Sequence, residues 1–216
     1  MKGISKFVGG AVVIAVFMFA AGQVSAANLL LNPGFETGTT ASWLVLGSGV
    51  GASVTVQTPD NGPSAPGSFN AFMTNSIAAN NLALQQSTAL GDAVPGLANY
   101  SFDLKFGNSF NGGVVFVHIW DVNSTGGVID QGPGLIVPSI PNDGNWHTFS
   151  GSWTAPASVN HFEIEFDCTT GAASGSTEAV HVDNASLTQA VPEPTTVTLV
   201  GLGLFGAVAF GRKRKS

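Results

Sequence analysis

Apolar and polar residues alternate with a period of two along two long segments of the chain. Residues 100–106 read Tyr-Ser-Phe-Asp-Leu-Lys-Phe, and residues 161–168 alternate in the same way, ending in Cys168. A period of two places alternate side chains on opposite faces of a strand. Each segment therefore predicts a strand with one buried face and one solvated face.

Seven shorter segments also predict strands, because they are rich in β-branched and aromatic residues and are bounded by turn residues. They cover residues 28–31, 52–58, 69–74, 82–88, 114–121, 146–153 and 180–188. No segment between residues 27 and 190 keeps a helical period over three turns. Nine short strands with connections rich in Gly, Asn and Pro predict an all-β domain, an antiparallel β-sandwich or jelly roll.

The N-terminus has the pattern of a targeting segment. Residues 1–6 are basic, residues 7–21 are almost wholly apolar, and residues 24–26, Val-Ser-Ala, place small side chains where a signal peptidase cuts. An apolar run of about 15 residues is too short to cross a bilayer. Residues 1–26 are therefore predicted to be a secretory signal peptide, and residues 27–190 a single exported domain.

The C-terminus has a second targeting pattern. Residues 195–211 carry no charge, and the basic residues 212–215 follow directly. Basic residues stay on the cytoplasmic side of a membrane, so we predict a single short transmembrane helix with the tail inside. Together with Pro192, Glu193 and Pro194 just before the span, this order resembles the PEP-CTERM sorting signal of Gram-negative bacteria.

This resemblance covers residues 191–216 only. It implies that a membrane-embedded exosortase recognises the Pro-Glu-Pro motif and cleaves near it, after transient anchoring in the inner membrane through residues 195–211. It also implies delivery to the cell surface or to an exopolysaccharide matrix. The alternative is an ordinary C-terminal membrane anchor that is never processed.

The charges are segregated between the ends and the body of the chain. Lys105 is the only lysine or arginine between residues 27 and 194, a stretch that contains all thirteen Asp and Glu residues, so its net charge is −12. Such a surface repels phosphate backbones. We therefore expect no nucleic-acid partner.

Three segments that frame the body suggest a family. They are residues 28–38 (NLLLNPGFETG, with Trp43 following), residues 146–156 (WHTFSGSWTAP) and residues 180–187 (VHVDNASL). They resemble the opening strand and turn, a tryptophan-led strand ending in proline, and the last strand of jelly-roll carbohydrate-binding modules related to families 4, 9 and 22. The resemblance implies a galactose-binding-like sandwich.

The same resemblance implies a structural calcium ion between the opening and closing strands. Matching residue by residue carries over Glu36 and Asp183 as its side-chain ligands. Calcium takes six to eight oxygen ligands and favours carboxylates and carbonyls. The alternative is that both acids are solvated turn residues.

The segment 114–121 contains the candidate glycan-binding residues. Its apolar positions 115, 117 and 119 are predicted to face the core, which leaves Phe116, His118 and Trp120 on the other face. Sugars stack their C–H faces on aromatic rings, while their hydroxyl groups need hydrogen-bond partners. The alternative is a strand buried on both faces, with His118 satisfied inside.

No catalytic motif accompanies these patterns. The four histidines are scattered singly, which indicates no zinc site, and the single Cys168 is predicted to be a buried apolar residue. Glu163, Glu165 and Asp167 share one strand face, which we interpret as a polar outer surface rather than a pair of catalytic carboxylates. We predict a non-catalytic surface or matrix protein that binds glycan. A structural or adhesive matrix protein without a specific ligand is the main alternative, and a polysaccharide-acting enzyme is the weaker one.

Overall fold

Two antiparallel sheets form the body of the protein in the computed structural model, which describes residues 26–58, 62–64, 66–107, 111–131, 135–136 and 143–189. These residues form eleven strands: β1 (Leu44–Leu46), β2 (Ala52–Gln57), β3 (Asn70–Asn75), β4 (Asn81–Ser87), β5 (Gly96–Phe106), β6 (Gly113–Val122), β7 (Val128–Gln131), β8 (Leu135–Ile136), β9 (His147–Ala155), β10 (His161–Thr170) and β11 (Glu178–Gln189). The described residues contain no helix.

The strand order confirms the predicted antiparallel sandwich. The first sheet has the order β1-β4-β10-β6-β7, with β8 also paired to β6, and the second sheet has the order β2-β3-β11-β5-β9. Most neighbours are not consecutive in sequence, so the chain crosses repeatedly between the two sheets. Functional residues on one face therefore come from distant parts of the sequence.

The core lies between the two sheets and is built from alternate strand positions. Phe102 of β5 and Phe166 of β10 are fully buried, and their rings meet edge to face with centroids 5.3 Å apart. Trp43 packs against Phe166 from the opening loop at 5.9 Å. Burial of each such ring contributes about 1.5–3 kcal/mol to the stability of the fold. These contacts therefore hold the two sheets together.

The strand predicted at residues 28–31 is wrong. Asn28 forms only an isolated bridge with Thr188. Its side-chain oxygen instead accepts hydrogen bonds from the backbone N–H groups of Leu30 and Leu187, both at 3.1 Å. The Asn28 side chain thus takes the place of backbone hydrogen bonds that a strand at residues 28–31 would have formed with β11.

Three short strands, β1, β7 and β8, were not predicted, since none carries an alternating pattern long enough to recognise. The prediction for Cys168 is confirmed, because its side chain is fully buried and burial raises the pKa of its thiol. The thiolate, which is the reactive form of cysteine, is therefore suppressed.

The terminal predictions fall almost wholly outside the described residues. The Pro-Glu-Pro motif, the transmembrane helix predicted at residues 195–211 and nearly all of the predicted signal peptide are not described. In the part of the chain that the structure describes, no helix has the length and apolar character needed to cross a membrane.

Candidate functional site

Strand β6 places three aromatic rings on the outer face of the first sheet. The side chains at 115, 117 and 119 are fully buried in the core, whereas Phe116, His118 and Trp120 are half-buried on the opposite face. The side chain of His118 is 31% exposed. The strand is therefore not buried on both faces, and the three rings form what we call the aromatic ridge (Phe116, His118 and Trp120).

The rings of the aromatic ridge lie nearly parallel. His118 and Trp120 are stacked with centroids 5.2 Å apart and an interplanar angle of 1°, and Phe116 stacks on His118 at 5.9 Å and 22°. Residues two apart on a strand point to the same side, so the alternation alone brings these rings together. The result is a continuous apolar surface along β6.

A row of carboxyl groups on β10 runs beside the aromatic ridge. Each acid is the register partner of one ring: Asp167 of Phe116, Glu165 of His118 and Glu163 of Trp120. Register partners on one face of an antiparallel pair have neighbouring side chains. Diagonal neighbours also meet, since His118 Nε2 lies 3.4 Å from Asp167 Oδ2.

Strand β4 holds these carboxyl groups from the other side. Gln85 donates through Nε2 to Glu163 and, at 2.9 Å, to Glu165 Oε2, while Ser87 Oγ donates to Glu163 Oε2 at 3.0 Å. Asn81 Nδ2 donates to Asp167 Oδ1 at 2.6 Å. The acidic side chains are therefore fixed in position rather than free in solvent.

The outer face of β10 is less solvated than its alternation predicts. Asp167 is only 3% exposed, since it lies on a central strand between the side chains of β4 and β6. Burial, followed by the charges of Asp167 and Glu163, raises the pKa of Glu165 to about 8. Glu165 therefore holds a proton around neutral pH. The oxygen atoms of this row accept hydrogen bonds from Gln85, Ser87 and Asn81, and sugar hydroxyl groups can donate to the same kind of acceptor.

A second group of acids surrounds the last strand. Asp183 of β11 is the register partner of Asp103 of β5, and both carboxylates are almost completely buried. Asp183 accepts hydrogen bonds from the backbone N–H groups of Gly62 and Asn184, both at 2.7 Å. Asn184 Nδ2 donates to Asp103 Oδ2 at 2.8 Å, which links the two acids.

The backbone around this cluster is shaped to fit it. A Cβ atom on Gly62 would lie 2.4 Å from Asp103 Oδ2, so only glycine permits this approach. Asn184 has a φ of 51°, in the left-handed region that asparagine tolerates better than most residues. It coincides with a register shift between Asp183 and Ser186.

Glu36 approaches the same cluster from the opening loop. It accepts hydrogen bonds from the backbone N–H groups of Ser68 and Phe69 at 3.0 and 3.1 Å. Burial, with smaller contributions from the charges of Asp103 and Glu36, raises the pKa of Asp183 to about 7. Glu36 and Asp183 thus influence each other electrostatically, although the described residues contain no group of three or more acids, histidines or cysteines arranged as a metal site.

Asp103 was missed as a member of this cluster. It occupies a polar position in the alternating segment 100–106, which predicts a solvated side chain. The Oδ1 atom instead accepts hydrogen bonds from the hydroxyl groups of Ser64 and Thr148, both at 2.6 Å. No signal in the sequence distinguishes this aspartate from an ordinary surface residue.

Glu178, at the start of β11, has a different environment. Its side chain is 1% exposed, and neither carboxyl oxygen has a hydrogen-bond partner among the described residues. Burial raises the pKa of this carboxyl to about 8. The side chain packs against Gly113, where a Cβ atom would lie 1.9 Å from Glu178 Oε2. Glu178 is therefore protonated near neutral pH.

Comparison with protein families identifies the C-terminal segment. Residues 190–215 match the PEP-CTERM protein-sorting motif, as the sequence predicts. The motif indicates an exported protein that is sorted to the cell surface. No curated protein matches the sequence.

Comparison with solved structures identifies the fold as that of carbohydrate-binding-module sandwiches. TmCBM61 in complex with β-1,4-galactotriose is 17% identical, with a TM-score of 0.51, 75% of this chain covered and 98% of the other. The CBM22-1 xylan-binding domain of Paenibacillus barcinonensis Xyn10C is 18% identical, with a TM-score of 0.52 and coverage of 78% and 97%.

A third similar structure is the enzymatically active domain of bacteriophage CBA120 tailspike protein 4. It is 14% identical with a TM-score of 0.60, and 74% of this chain is covered. The match spans only 21% of the tailspike chain. At these identities the three similarities establish the fold, which is the one that the sequence predicts.

Proposed function

We propose that the protein is an exported, non-catalytic glycan-binding protein of the cell surface or exopolysaccharide matrix, and that the aromatic ridge is its binding surface. The observation that carries this proposal is the line of half-exposed rings beside fixed carboxyl groups. Rings of Phe116 and Trp120 supply apolar surface for sugar C–H groups. Glu163, Glu165 and the Oε1 atom of Gln85 supply oxygen atoms that accept hydrogen bonds from sugar hydroxyl groups.

The charge of this face favours a neutral glycan. Three acids lie beside the aromatic ridge, and the only lysine between residues 27 and 194, Lys105, belongs to β5 in the other sheet. Uronate groups would be repelled by this face and by the net charge of the domain. Uncharged chains of the kind named for the two similar carbohydrate-binding modules, β-1,4-galactan and xylan, are therefore the first ligands to test.

Affinity electrophoresis tests the proposal. The wild-type domain should migrate more slowly in native gels that contain xylan or β-1,4-galactan than in empty gels, and its migration should not change in gels that contain acidic alginate. Unchanged migration in every gel would favour the structural or adhesive matrix protein. Release of reducing ends from these polysaccharides would instead favour an enzyme.

We also propose that exosortase removes the C-terminal segment after export. The match to the sorting motif at residues 190–215 supports this step. Intact-mass measurement of protein extracted from the surface of the native host should show a species without residues 1–26 and without the basic tail at residues 212–215. A main species that retains this tail would contradict the proposal and indicate a permanent membrane anchor.

We further propose that Asp183 and Glu36 hold a structural calcium ion together with neighbouring backbone carbonyl groups. Carboxylate and carbonyl oxygens are the hard ligands that calcium prefers, whereas both oxygens of Asp103 are already hydrogen-bonded to Ser64, Thr148 and Asn184. Burial raises the pKa of Asp183, with smaller contributions from the charges of Asp103 and Glu36, and a bound cation would favour its charged form. Because Glu36 follows the N-terminal segment and Asp183 lies on the last strand, the ion would join the two ends of the domain.

Removal of calcium should therefore lower the melting temperature. At a calcium concentration tenfold above Kd, binding to the folded state alone stabilises it by about 1.4 kcal/mol, or about 3–6 °C for a domain of this size. Differential scanning fluorimetry with and without chelator measures this shift. The Asp183→Asn variant should lose the response, while Asp92→Asn, at an exposed acid elsewhere, should keep it. A wild-type melting curve that ignores both chelator and added calcium would contradict the proposal.

A further inference from the structure

The outer face of the second sheet carries its own row of rings. Phe72 of β3 is the register partner of His181 of β11, which in turn is the register partner of Lys105 of β5. Trp146 directly precedes β9, and the ammonium group of Lys105 lies 5.3 Å from the centroid of its ring. Neighbouring positions such as 104, 180 and 182 are buried in the core, so this row points away from it.

The rings of this row meet at different angles. Phe72 and His181 are stacked with centroids 4.2 Å apart and an interplanar angle of 24°. Trp146 meets His181 edge to face, at 5.9 Å and 65°. The indole of Trp146 is therefore steeply inclined to the imidazole of the stacked pair.

Phe72 and His181 border a depression of about 400 Å³, which lies within the range of small-molecule sites, roughly 300–1,000 Å³. Trp146 is not part of this lining but adjoins it through its ring contacts with His181 and Lys105. Its lining includes Phe72, His181, Lys105 and the exposed amide of Gln57. Two glycines, Gly107 and Gly144, complete the border. A Cβ atom on Gly107 would lie 2.7 Å from the side chain of Ala179 and 3.0 Å from the ring of Phe72, so glycine is required for this close packing at the border.

The polar groups of the depression match those of a sugar. His181 Nδ1 is held by Asn70 Oδ1 at 2.8 Å, which fixes the imidazole and leaves its other nitrogen for a ligand. The exposed Gln57 amide can both donate and accept hydrogen bonds. Aromatic surface combined with a few oriented polar groups is the composition of saccharide sites.

The aromatic ridge and this depression face in opposite directions. The ridge lies on the outer face of the first sheet and the depression on the outer face of the second, and the two sheets enclose the core. Sheets packed face to face are about 10 Å apart between backbones, and side chains extend farther on both sides. A single extended segment of glycan cannot contact both surfaces at once.

We propose that the depression is a second saccharide-binding site, which takes a neutral sugar unit, so that one domain bridges two glycan chains. A neutral ligand is favoured because the domain has a net charge of −12 between residues 27 and 194. The bridging rests on the proposed function of the aromatic ridge, whereas the site itself rests on Phe72, Trp146 and His181. Two sites on opposite faces would let the protein cross-link a polysaccharide matrix.

Isothermal titration calorimetry with xylohexaose and β-1,4-galactotriose tests the second site. The wild type should bind two ligand molecules, and the Trp146→Ala and Trp120→Ala variants should each bind one, because each loses at least 10-fold in affinity at one site. The double variant should bind none. Ser53→Ala, at an exposed position on the same face of β2 but outside the depression, is the matched control and should bind two.

The same variants separate this inference from the proposed function. One bound ligand in the wild type, lost in Trp120→Ala and kept in Trp146→Ala, would overturn the second site and leave the aromatic ridge intact. One bound ligand lost only in Trp146→Ala would overturn the ridge and the bridging. If the wild type binds neither oligosaccharide and is not retarded by any polysaccharide gel, both the second site and the proposed function of the aromatic ridge are overturned.

Comparison of melting temperatures shows whether a variant has a folding defect. Gln57→Ala provides a second variant, at an exposed rim position, that should weaken the second site several-fold.

Bridging itself is measured by the turbidity of mixtures with soluble xylan or β-1,4-galactan. The wild type should form scattering complexes, and either single tryptophan variant should abolish them. Equal scattering by the wild type and by both variants would overturn the bridging.

Discussion

Trp120→Ala should lose at least about 30-fold in affinity at the aromatic ridge for the neutral glycan that retards the wild-type domain. The indole ends the aromatic ridge and lies parallel to His118, so its removal takes away the largest apolar surface on this face. A single stacked aromatic residue at the centre of a binding surface commonly contributes about 2 kcal/mol or more. Affinity electrophoresis at several glycan concentrations gives the change in Kd when Trp120→Ala is introduced into the Trp146→Ala variant, in which the depression no longer contributes to retardation.

The stability of the same variant separates a binding role from a packing role. Trp120 is half-buried on an outer face, whereas truncation of a tryptophan in a packed core costs about 3–5 kcal/mol. We therefore expect a much smaller loss of unfolding free energy, and Trp120→Phe, which keeps a ring, should retain most of the binding. Severe destabilisation by Trp120→Ala with unchanged glycan affinity would assign the residue to the core and contradict the proposed function.

Glu178→Gln should stabilise the domain increasingly as the pH rises from about 5 to 8. Burial raises the pKa of Glu178 from its ordinary value of 4.5 to about 8, so the folded state binds this proton more tightly than the unfolded state. The wild type therefore loses stability as the pH rises through this window, by at most about 1.4 kcal/mol per pH unit. Glutamine has nearly the same shape and does not ionise.

Urea unfolding at pH 5, 6, 7 and 8 measures this difference. The gap in unfolding free energy between Glu178→Gln and the wild type should widen through the window and level off above pH 8. Asp92→Asn, at an exposed acid, should show no comparable widening. A constant gap across the whole range would mean that Glu178 is ionised in the folded protein, with a partner that satisfies its carboxylate.

Periodicity in the sequence predicts the faces of the long strands well. Along β6 and β10 the alternation separates core from surface, because successive side chains of a strand must point in opposite directions. This local rule also places Phe116, His118 and Trp120 on one side. The C-terminal sorting motif is likewise a linear signal, which is recognisable from the order of its residues and needs no folded context.

Periodicity gives a wrong prediction where a side chain forms the hydrogen bonds that a strand backbone would form. It also fails where the burial of a residue depends on the neighbouring strands. Asn28 satisfies backbone groups of the last strand with its amide, so an apolar segment that predicts a strand forms none. Asp167 lies at a polar position and is nevertheless buried, because two strands flank it. Neither outcome follows from the local pattern, which describes a single strand in isolation.

The sequence alone determined the sandwich class, the sorting motif and the composition of the aromatic ridge, since each depends on residues close together in the chain. Only the tertiary structure decided that Asp103 joins Asp183 and that Trp146 joins Phe72 and His181. These groups come from strands that are distant in sequence and adjacent in the sheet. Their contacts depend on strand order and register, which are set by packing of the whole core and leave no signal in any single segment.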